Sequence, residues 1–580
     1  MKNQQSLVAL KKFLKSKNLD FFLLPNSDQF FSEYLPQNQK RVQYLTNFSG
    51  SNAWVVFGQE KSYFFTDGRY ILQAQNELDL EEFEIFNIGD KTLIRWMQEN
   101  IGTRKIAIDP QILSVNFVKT CLNFLQNIVF LEENPIDEIW HKKPNSSNSE
   151  VFFCDEKVVG LNSWQKRQEI LPQVAADALI ITKPENLCWL LNLRASDVEF
   201  TPFLLAYAIL FKSGEAELFI NKSRLKDLKN FNLEKVKIIE THAFEKRVRE
   251  LTKELKTVQI DEATTNYWLY NLLQKSGCEI INKSDVIELQ KSIKNSAEIY
   301  GAIQSHKADG LAVTKFLFWL QKSLKEGQEI DELKAENKLL EFRQESPEFL
   351  YPSFRSISSF GANGAIIHYH SSEKTNKKIA GNSLYLIDSG GQYFSDNFLG
   401  TTDVTRTIAV GKPSSEMVKN FTRVLKGHIA LACAKFPNGS CGADLDVLAR
   451  FHLWQAGLNY DHGTGHGVGA FLSVHEGPCA ISKRSRQELL PGMILSNEPG
   501  FYKAGEYGIR IENLMLVEKF DDKFLCFKTL TLVPIDPNLI DFKMLTYYEK
   551  KWLKNYHEQI RHYFFDKLDQ EILVWLNLIY

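Results

Sequence analysis

The sequence predicts a protein of mixed α/β and α+β class, in which two α/β domains precede a third domain that carries most of the chemistry. Short apolar runs alternate with helical spacing in two successive blocks, the pattern of α/β units. From Lys291 the chain changes to a long helical stretch and then to strand-like runs rich in Gly and His. A chain of 580 residues is also too long for a single hydrophobic core.

Composition and charge exclude several classes of protein. Lys and Arg total 69 against 71 Asp and Glu, a formal net charge of −2, whereas a nucleic-acid-binding protein usually carries a basic excess. Hydrophobic residues make up 44% of the chain and charged residues 24%, as in folded globular proteins and unlike disordered ones. The eight cysteines form no C-x-x-C pair, so neither a disulfide framework nor a thiolate zinc site is expected.

The sequence favours a cytoplasmic location. The N-terminal stretch MKNQQSLVALKKFLKSKN lacks the continuous apolar run of a signal peptide and has the pattern of an amphipathic surface helix. The longest strongly apolar run, at 201–211, is too short to span a bilayer. We therefore expect neither a membrane partner nor a nucleic-acid partner.

The first two domains are predicted over residues 1–141 and 151–296. Strand-like runs of the first domain lie at 19–26, 52–58, 61–75 and 104–110. The polar, turn-rich segment 142–151 is interpreted as a linker. The second block repeats the style of the first, with runs such as ADALIIT and TVQIDEA, and this predicts two domains of similar construction.

The third domain is predicted over residues 297–580. A long helical stretch at 291–324, with apolar residues at three- and four-residue steps, leads into it. The domain ends in helices rich in Trp and Tyr. One face of these helices carries Trp552, Tyr556, Ile560 and Phe564. We interpret this stripe as core packing or a subunit contact.

Two aspartates stand out because they end or interrupt apolar strands. Asp388 ends the run SLYLIDSGG, and Asp403 alternates with Val404 inside GTTDVTRTIAV. Two strand-borne aspartates separated by a turn can converge across a hairpin. A buried carboxylate needs a partner, and a metal ion is one candidate, although an Asp at a strand end is more often a turn or capping residue.

A glycine-rich stretch, DHGTGHGVGAFLSVHEGP, carries two histidines four residues apart, His462 and His466. On a helix they would resemble a zincin pair, but the glycines disfavour a helix and the zincin glutamate is missing. The phosphate-binding motif G-x-x-x-x-G-K-[ST] is also missing. The glycines indicate backbone packed tightly around something small, with His466 aimed at it.

Two glutamates complete an oxygen-rich set. Glu498 precedes a Pro-Gly turn whose hairpin could bring it opposite Glu512, and in GIRIEN the side chains of Arg510 and Glu512 share one face. Four carboxylates and one imidazole suit two divalent ions such as Mn²⁺, bridged by carboxylates, better than a lone tetrahedral zinc.

In their order and spacing, these segments resemble the pita-bread metallopeptidases, the fold shared by methionine aminopeptidase, prolidase and aminopeptidase P. The series GANGAIIHYH, LIDSGGQY, GTTDVTRT, HGTGHGVGAFLSVHEGP, NEPGFY and GIRIEN looks very like aminopeptidase P. FSGSNAWVVF, TDGRYILQA and WLLNLRASDVEFTPF extend the resemblance over nearly the full length. It implies two N-terminal creatinase-like α/β domains followed by a C-terminal pita-bread catalytic domain with C-terminal helices. It also implies the long, three-domain form, which releases the N-terminal residue from peptides with proline in position two.

The resemblance assigns roles to individual residues. The implied metal ligands are Asp388, Asp403, His466, Glu498 and Glu512. Asp403 and Glu512 would bridge two divalent ions per chain, with Mn²⁺ as the expected metal. Asp388 would hold one ion, with His466 and Glu498 on the other. A water between the ions would attack the scissile carbonyl, Glu498 would accept its proton, and His475 would stabilise the oxyanion.

The resemblance also implies a pocket for the proline ring, because the tertiary amide of an X-Pro bond lacks an N–H group. The implied substrate-binding residues are His368, His462, His475, Tyr502 and Arg510. His368 is also counted with the catalytic residues Glu498 and His475. The expected partners are peptides with an N-terminal X-Pro and, as a homodimer, a second copy of the chain.

The sequence departs from the family pattern in one place. The segment FSDNFLG makes the turn between Asp388 and Asp403 about four residues longer than in relatives. We expect a longer hairpin tip that keeps both aspartates on their faces, because the flanking motifs are intact; a changed register would lose one metal. Outside the motifs, His370 and His428 are predicted to be solvated, and His452 to be a packed helix residue.

Three alternatives follow from the same fold. A prolidase acts on X-Pro dipeptides, but prolidases usually have one N-terminal domain, whereas two α/β blocks precede Lys291 here. Creatinase uses no metal, whereas all five ligand positions are filled in this chain. A catalytically inactive pita-bread module that binds peptides or proteins would be expected to have lost ligands and to carry an acidic tail.

Overall fold

The computed structural model describes residues 2–225, 233–251 and 253–579. These residues divide into two compact units. The first unit holds the chain up to Cys154 together with Asn162–Ile287, and the second holds Asp155–Leu161 together with the chain from Glu288 onward. In this part of the chain, no helix combines the length and the apolar character that crossing a membrane requires.

The first unit contains two six-stranded sheets with helices packed against them. The strands of the first sheet are β1 (Phe21–Pro25), β2 (Trp54–Gly58), β3 (Ser62–Thr66), β4 (Phe83–Asn87), β5 (Ile106–Ile108) and β6 (Ile128–Phe130). The helices of this part are α1 (Lys2–Ser16), α2 (Arg41–Thr46), α3 (Ile71–Glu77), α4 (Leu93–Asn100), α5 (Val115–Leu122) and α6 (Pro135–Ile139).

Residues 152–292 contain the same kinds of element, and the short helix Glu156–Val159 among them belongs to the second unit. Its strands are β7 (Phe152–Phe153), β8 (Ala178–Ile181), β9 (Leu193–Arg194), β10 (Tyr207–Phe211), β11 (Ala216–Phe219), β12 (Val236–Ile239), β13 (Thr257–Ile260) and β14 (Glu279–Asn282). The helices between Cys154 and Ser296 are α7 (Glu156–Val159), α8 (Ser163–Ile170), α9 (Pro184–Leu191), α10 (Phe244–Leu251), α11 (Tyr267–Ser276) and α12 (Val286–Ser292).

The two large sheets of the first unit have the same topology. Their strand orders are β4-β3-β2-β1-β5-β6 and β12-β11-β10-β8-β13-β14. In both sheets the second, third and fourth strands in this order pair antiparallel, and all other neighbouring strands pair parallel. This confirms the prediction of two α/β blocks of similar construction. The runs that sequence reasoning overlooked, β4, β6 and β14, are all sheet-edge strands with half-exposed residues.

The second unit combines antiparallel sheets with long helices. Its strands are β15 (Phe349–Pro352), β16 (Ile357–Phe360), β17 (Ser383–Ser389), β18 (Gly391–Phe394), β19 (Leu399–Thr401), β20 (Val404–Val410), β21 (Lys435–Pro437), β22 (Gly465–Gly467), β23 (Glu476–Ile481), β24 (Ile494–Asn497), β25 (Gly500–Lys503), β26 (Tyr507–Arg510), β27 (Asn513–Lys519) and β28 (Phe524–Thr529). Its helices from Ser296 onward are α13 (Ser296–Lys325), α14 (Glu332–Gln344), α15 (Ser415–Ala432), α16 (Gly442–Trp454), α17 (Tyr547–Phe564) and α18 (Gln570–Ile579).

The strands of this unit pair antiparallel. The sheets have the orders β16-β17-β20, β15-β18-β19, β21-β28-β27-β24-β22-β23 and β25-β26. Helices α13 and α14 share a hydrophobic core with β16, β17 and β20. The predicted fold class is confirmed.

The hairpin between the two aspartate strands is long but keeps its register. β17 and β20 pair up to Ser389 opposite Val404, with Asp388 opposite Thr405, and β18 and β19 continue the hairpin to Phe394 opposite Leu399. The extra residues therefore extend the tip, as the sequence predicted, and do not shift the aspartates.

The C-terminal aromatic stripe is part of a core. Tyr556, Ile560 and Phe564 are buried among residues of α15, α18 and the strands β25 and β26. The core-packing interpretation is therefore confirmed. The prediction that His370 and His428 are solvated is wrong, because His428 is fully buried on the inner face of α15 and His370 is half-buried.

Candidate metal centre

The two aspartates of the long hairpin lie close together on neighbouring strands, at the ends of β17 and β20 that adjoin the hairpin tip. Asp388 is the penultimate residue of β17, and Asp403 immediately precedes β20. Both residues are buried, with 8% of Asp388 and 4% of Asp403 exposed when backbone and side chain are taken together. The alternation of each strand turns the neighbouring apolar residues Ile387 and Val404 into a hydrophobic core.

The two glutamates lie where one pair of strands ends and another begins. β24 and β27 pair up to Asn497 opposite Asn513, and β25 and β26 start at Gly500 opposite Arg510. Glu498 and Glu512 therefore lie opposite each other, as predicted from the Pro-Gly turn.

His466 lies on β22 and faces the carboxylates through Nε2. Its Nδ1 is 3.0 Å from the carbonyl oxygen of Gly467, and its Nε2 is 3.5 Å from both Asp403 Oδ2 and Glu498 Oε1. Burial, with a smaller effect of His475, lowers the pKa of His466 to about 3, so the ring is neutral. With Nδ1–H donating to the carbonyl, the Nε2 lone pair points at the carboxylates, as in metal-ligating histidines.

The glycines around His466 are needed for close backbone approach. A Cβ on Gly465 would lie 1.9 Å from the backbone oxygen of Ser496, and β22 would be forced away from β24. The expected tight backbone around His466 is therefore present, and it forms a strand rather than a helix.

Three overlapping groups of side chains could each hold a cation, since their ligand atoms lie within 4.8 Å of one another. The groups are Asp388, Asp403 and Glu512; His466, Glu498 and Glu512; and Asp403, His466 and His475. All five residues predicted as metal ligands are thus brought together, and Asp403, Glu512 and His466 each belong to two groups.

The electrostatics of the cluster call for positive charge. Burial and the neighbouring carboxylates raise the pKa of Asp403 and of Glu512 well above the ordinary range. Burial raises the pKa of Glu498 to about 7. Among the described residues, Asp388 Oδ1 and Asp403 Oδ1 are buried without a hydrogen-bond partner. These oxygens and the neutral His466 fit divalent cations with a preference for hard ligands.

Arg510, Tyr502 and His462 form a chain of hydrogen bonds that leads away from the carboxylates. Arg510 Nη2 donates to Asp388 Oδ2 at 2.6 Å, and Arg510 Nη1 donates to the Tyr502 hydroxyl at 2.7 Å. The same hydroxyl lies 2.9 Å from His462 Nε2. The chain fixes an aromatic ring and an imidazole next to Glu498, whose Oε2 is 3.9 Å from His462 Nδ1.

His475 and His368 lie on different segments of the chain. The ring centroids of His475 and His466 are 4.4 Å apart, which places His475 beside the carboxylates. His368 lies on the segment after the 3₁₀ helix Gly361–Ala365, and this helix packs against β26, the strand of Arg510. The packing is backbone against backbone, since a Cβ on Gly508 would lie 1.7 Å from the oxygen of Gly364.

Several supporting residues were missed by sequence reasoning. Thr405 Oγ1 donates to Glu512 Oε2 at 2.7 Å, and the fully buried Arg406 donates to the Glu512 carbonyl at 2.7 Å. Glu476 is buried between Lys291 and Lys294, at 2.7 and 2.5 Å, directly after His475. The signal for these residues was a charged side chain inside an apolar strand or helix, as for Arg406 in VTRTIAV.

Four family models match successive parts of the chain. The creatinase/prolidase N-terminal domain matches twice, at residues 7–132 and 142–298. Metallopeptidase family M24 matches residues 302–519, and the C-terminal region of peptidase M24 matches 523–578. The probable Xaa-Pro aminopeptidase P of Laccaria bicolor is 38% identical over 99% of this chain and 92% of its own length. The chain belongs to metallopeptidase family M24.

Solved structures agree with this assignment. The X-prolyl aminopeptidase of Caenorhabditis elegans, described as a cytosolic enzyme with a di-nuclear active site, is 32% identical with a TM-score of 0.93. That match covers 100% of this chain and 99% of the C. elegans chain. A prolidase from Thermococcus sibiricus is 25% identical, with a TM-score of 0.51. The match covers 64% of the present chain and 96% of the prolidase chain.

Proposed function

We propose that the protein is a metal-dependent aminopeptidase that releases the N-terminal residue from peptides with proline in the second position. One observation carries the proposal. Two triads of metal-ligand type, Asp388–Asp403–Glu512 and His466–Glu498–Glu512, share a carboxylate and hold their ligand atoms within 4.8 Å. The full-length likeness to Xaa-Pro aminopeptidases supports the choice of reaction.

The five ligand residues would hold two divalent ions, with Asp403 and Glu512 shared between them. Asp388 would serve as a further ligand of one ion, and His466 with Glu498 as further ligands of the other. When bound, the ions lower the pKa of water and polarise the scissile carbonyl. We propose Mn²⁺, because a set of carboxylates with one imidazole favours a hard octahedral ion over zinc.

Glu498 is the proposed proton acceptor. Its side chain is 18% exposed, whereas those of Asp403 and Asp388 are 5% and 11% exposed, so it is the carboxylate most accessible to a substrate. It takes the proton of the attacking water and returns it to the prolyl nitrogen as that nitrogen leaves. His475, beside His466, donates a hydrogen bond to the oxyanion, a contribution of about 3–4 kcal/mol at comparable sites.

The proline ring is proposed to bind among His368, His462, Tyr502 and Arg510. The tertiary amide offers no N–H group, so recognition has to come from shape and from contacts with rings. The hydrogen-bond chain from Asp388 through Arg510 to Tyr502 and His462 fixes the orientation of the Tyr502 and His462 rings. The free α-amine would lie near Asp388 and the acidic cluster, which accounts for an exopeptidase.

A prolidase is the second candidate, and the N-terminal half of the chain argues against it. Two creatinase/prolidase N-terminal matches precede the M24 match, whereas the prolidase structure covers only 64% of this chain. An inactive binding module is disfavoured because all five ligand positions carry ligand residues and converge.

Assembly and location belong to the same proposal. We infer a homodimer and a cytoplasmic location, and the C. elegans relative described as cytosolic supports the latter. The domain boundaries 1–141, 151–296 and 297–580 are also proposed, with each of the first two domains built on one six-stranded sheet.

The test compares three substrates: an X-Pro-Pro tripeptide, X-Ala-Pro and the X-Pro dipeptide. Each is assayed after chelation and again after addition of Mn²⁺. We expect metal-dependent release of X from X-Pro-Pro, with little from the other two. Preference for the dipeptide would shift the assignment to prolidase, and cleavage of none of them would contradict the proposed activity.

A further inference from the structure

A single buried carboxylate holds the segment that carries His368. Glu332, the first residue of α14, is 0% exposed. We call residues 361–379 the His368 segment. The carboxylate of Glu332 accepts hydrogen bonds from the backbone N–H of Phe360 at 2.6 Å, Asn363 Nδ2 at 2.9 and 3.0 Å, the Tyr369 hydroxyl at 2.8 Å and the backbone N–H of Lys377 at 3.0 Å.

These bonds are not explained by helix capping or by an ion pair. The N-cap of α14 is Asp331, whose Oδ1 already accepts the backbone N–H of Lys334 at 2.7 Å. In the part of the chain that the structure describes, no lysine or arginine forms an ion pair with Glu332. Burial of an unpaired carboxylate is unfavourable unless strong, charge-assisted hydrogen bonds compensate for it. The donors from the His368 segment supply that compensation.

The other contacts of the His368 segment include backbone bonds from Glu332 N–H to the Lys377 carbonyl and from Ile379 N–H to the Ile330 carbonyl, and the packing of its 3₁₀ helix against β26. Its regular structure is limited to the 3₁₀ helix Gly361–Ala365, and most of its side chains are half-buried or exposed. Tyr369 and Ile379 are its buried apolar side chains. The bonds to the Glu332 carboxylate run from Asn363 to Lys377, on both sides of His368, so they constrain the path of the backbone there.

We propose that Glu332 is a positioning residue that holds His368 in its working place beside the proline ring of the substrate. The inference rests on the proposed function for the role of His368. Glu332 does not touch substrate in this proposal; it acts through the segment, and Tyr369, the neighbour of His368, is the nearest point of attachment.

The first variant is Glu332→Gln, which keeps the shape of the side chain. Both oxygens of the Glu332 carboxylate accept hydrogen bonds. In either orientation of the glutamine amide, its NH₂ group would therefore face hydrogen-bond donors and lose those bonds. We expect kcat/KM for X-Pro-Pro to fall about 10- to 100-fold, the size expected for a displaced catalytic or binding group. Metal content should stay at the wild-type value.

A double-mutant cycle separates positioning from general destabilisation. If Glu332 acts through His368, Glu332→Gln should change kcat/KM less than about twofold in a His368→Ala background. A further tenfold loss in that background would overturn the proposal. The matched control is Glu336→Gln, one turn along α14, since Glu336 accepts a single hydrogen bond from Ser371 Oγ at 2.8 Å. We expect this control to be close to wild type.

Two further measurements keep the proposal testable if Glu332→Gln folds poorly or if the wild type does not cleave X-Pro-Pro. Tyr369→Phe removes one donor next to His368, and its smaller loss of activity should also vanish in the His368→Ala background. Amide hydrogen exchange of either variant should rise within 361–379 and stay unchanged in β17. Unchanged exchange in 361–379 would overturn the positioning role, whereas an inactive wild type with raised exchange in the variants would contradict only the proposed function.

Discussion

At the scale of single residues, the site consists mainly of carboxylates whose oxygens the fold holds close to one another. Burial and the charges of neighbouring carboxylates raise the pKa values of Asp403 and Glu512, and the buried Oδ1 atoms of Asp388 and Asp403 have no hydrogen-bond partner among the described residues. Such a cluster is unfavourable without cations. The same residues are therefore the sensitive positions for activity.

Glu498→Gln tests the proposed proton acceptor. The amide can neither accept a proton nor bind a cation as well as the carboxylate, so we expect kcat to fall about 10²- to 10⁴-fold. The measurement is steady-state hydrolysis of X-Pro-Pro with metal content determined in parallel. Glu506→Gln, on the exposed turn between β25 and β26, is the control and should keep wild-type activity. A Glu498→Gln enzyme with near wild-type kcat would remove Glu498 from the mechanism.

His557 gives a prediction for stability against pH. It is buried on α17, where Nδ1 lies 2.8 Å from the carbonyl oxygen of Leu553 and Nε2 accepts the backbone N–H of Ile535. Burial lowers its pKa to about 3, below the value of about 6.5 in the unfolded chain. Protonation therefore favours unfolding, and the contribution of neutral His557 is complete above pH 6.5 and declines as the pH falls towards 3.

The measurement compares urea unfolding of wild type and His557→Gln between pH 7 and pH 4. The variant should be less stable at pH 7 but lose stability more slowly on acidification, by up to about 1.4 kcal/mol per pH unit. His562→Gln, at an exposed position of the same helix, should match the wild-type slope. Parallel slopes for His557→Gln and wild type would contradict the assignment.

The convergence of the site residues was predictable from the sequence only where motifs carried them. The five proposed ligand residues lie in recognisable segments, so their convergence could be expected. His428 was expected in solvent because its neighbours in α15 gave no motif, yet it lies 3.2 Å from Asn513 Nδ2 in a buried polar layer behind Glu512. Such layers depend on which helix covers which strand, and a single sequence does not contain that information.

At the scale of elements, the register of short strands places the site. The long hairpin of β18 and β19 continues the pairing of β17 and β20, so four extra residues could be accommodated without moving Asp388. The sequence predicted this because each strand keeps its own alternation. Edge strands β4, β6 and β14 were overlooked because their residues alternate little between apolar and polar.

Helix α17 provides a stability prediction at this scale. Ile560 is 0% exposed in a core shared with α15 and α18. Ile560→Ala should lower the free energy of unfolding by about 2–5 kcal/mol, the range for large-to-small core substitutions. Gln559→Ala, one residue earlier and exposed, should change it by less than about 0.5 kcal/mol. Equal, small effects in denaturant titrations would mean that α17 is not part of the core.

At the scale of the whole molecule, the repeated sheet topology supports the division of the chain. The segment 142–151 has no helix or strand, and most of its side chains are exposed. Trypsin under native conditions should therefore cleave early after Lys142, whereas the Lys143–Pro144 bond should resist. Mass spectrometry of the first fragments identifies the cut. Earlier cleavage inside the strands of either six-stranded sheet would contradict the proposed boundary.

The order of the domains was predictable from the sequence, because each block has its own style of hydrophobic pattern. The mixed parallel and antiparallel pairing of the first two sheets was not, since strand direction depends on long-range contacts. The metallopeptidase assignment depends on both levels, because five side chains from four strand regions have to meet.

The most direct test of the account is titration of the metal-free enzyme with Mn²⁺ while hydrolysis of an X-Pro-Pro tripeptide and bound metal are followed together. The account predicts that activity is absent without metal and reaches its plateau when two ions are bound per chain. Full activity in the metal-free enzyme, or a plateau with one ion bound, would contradict the dinuclear site formed by Asp388, Asp403, His466, Glu498 and Glu512.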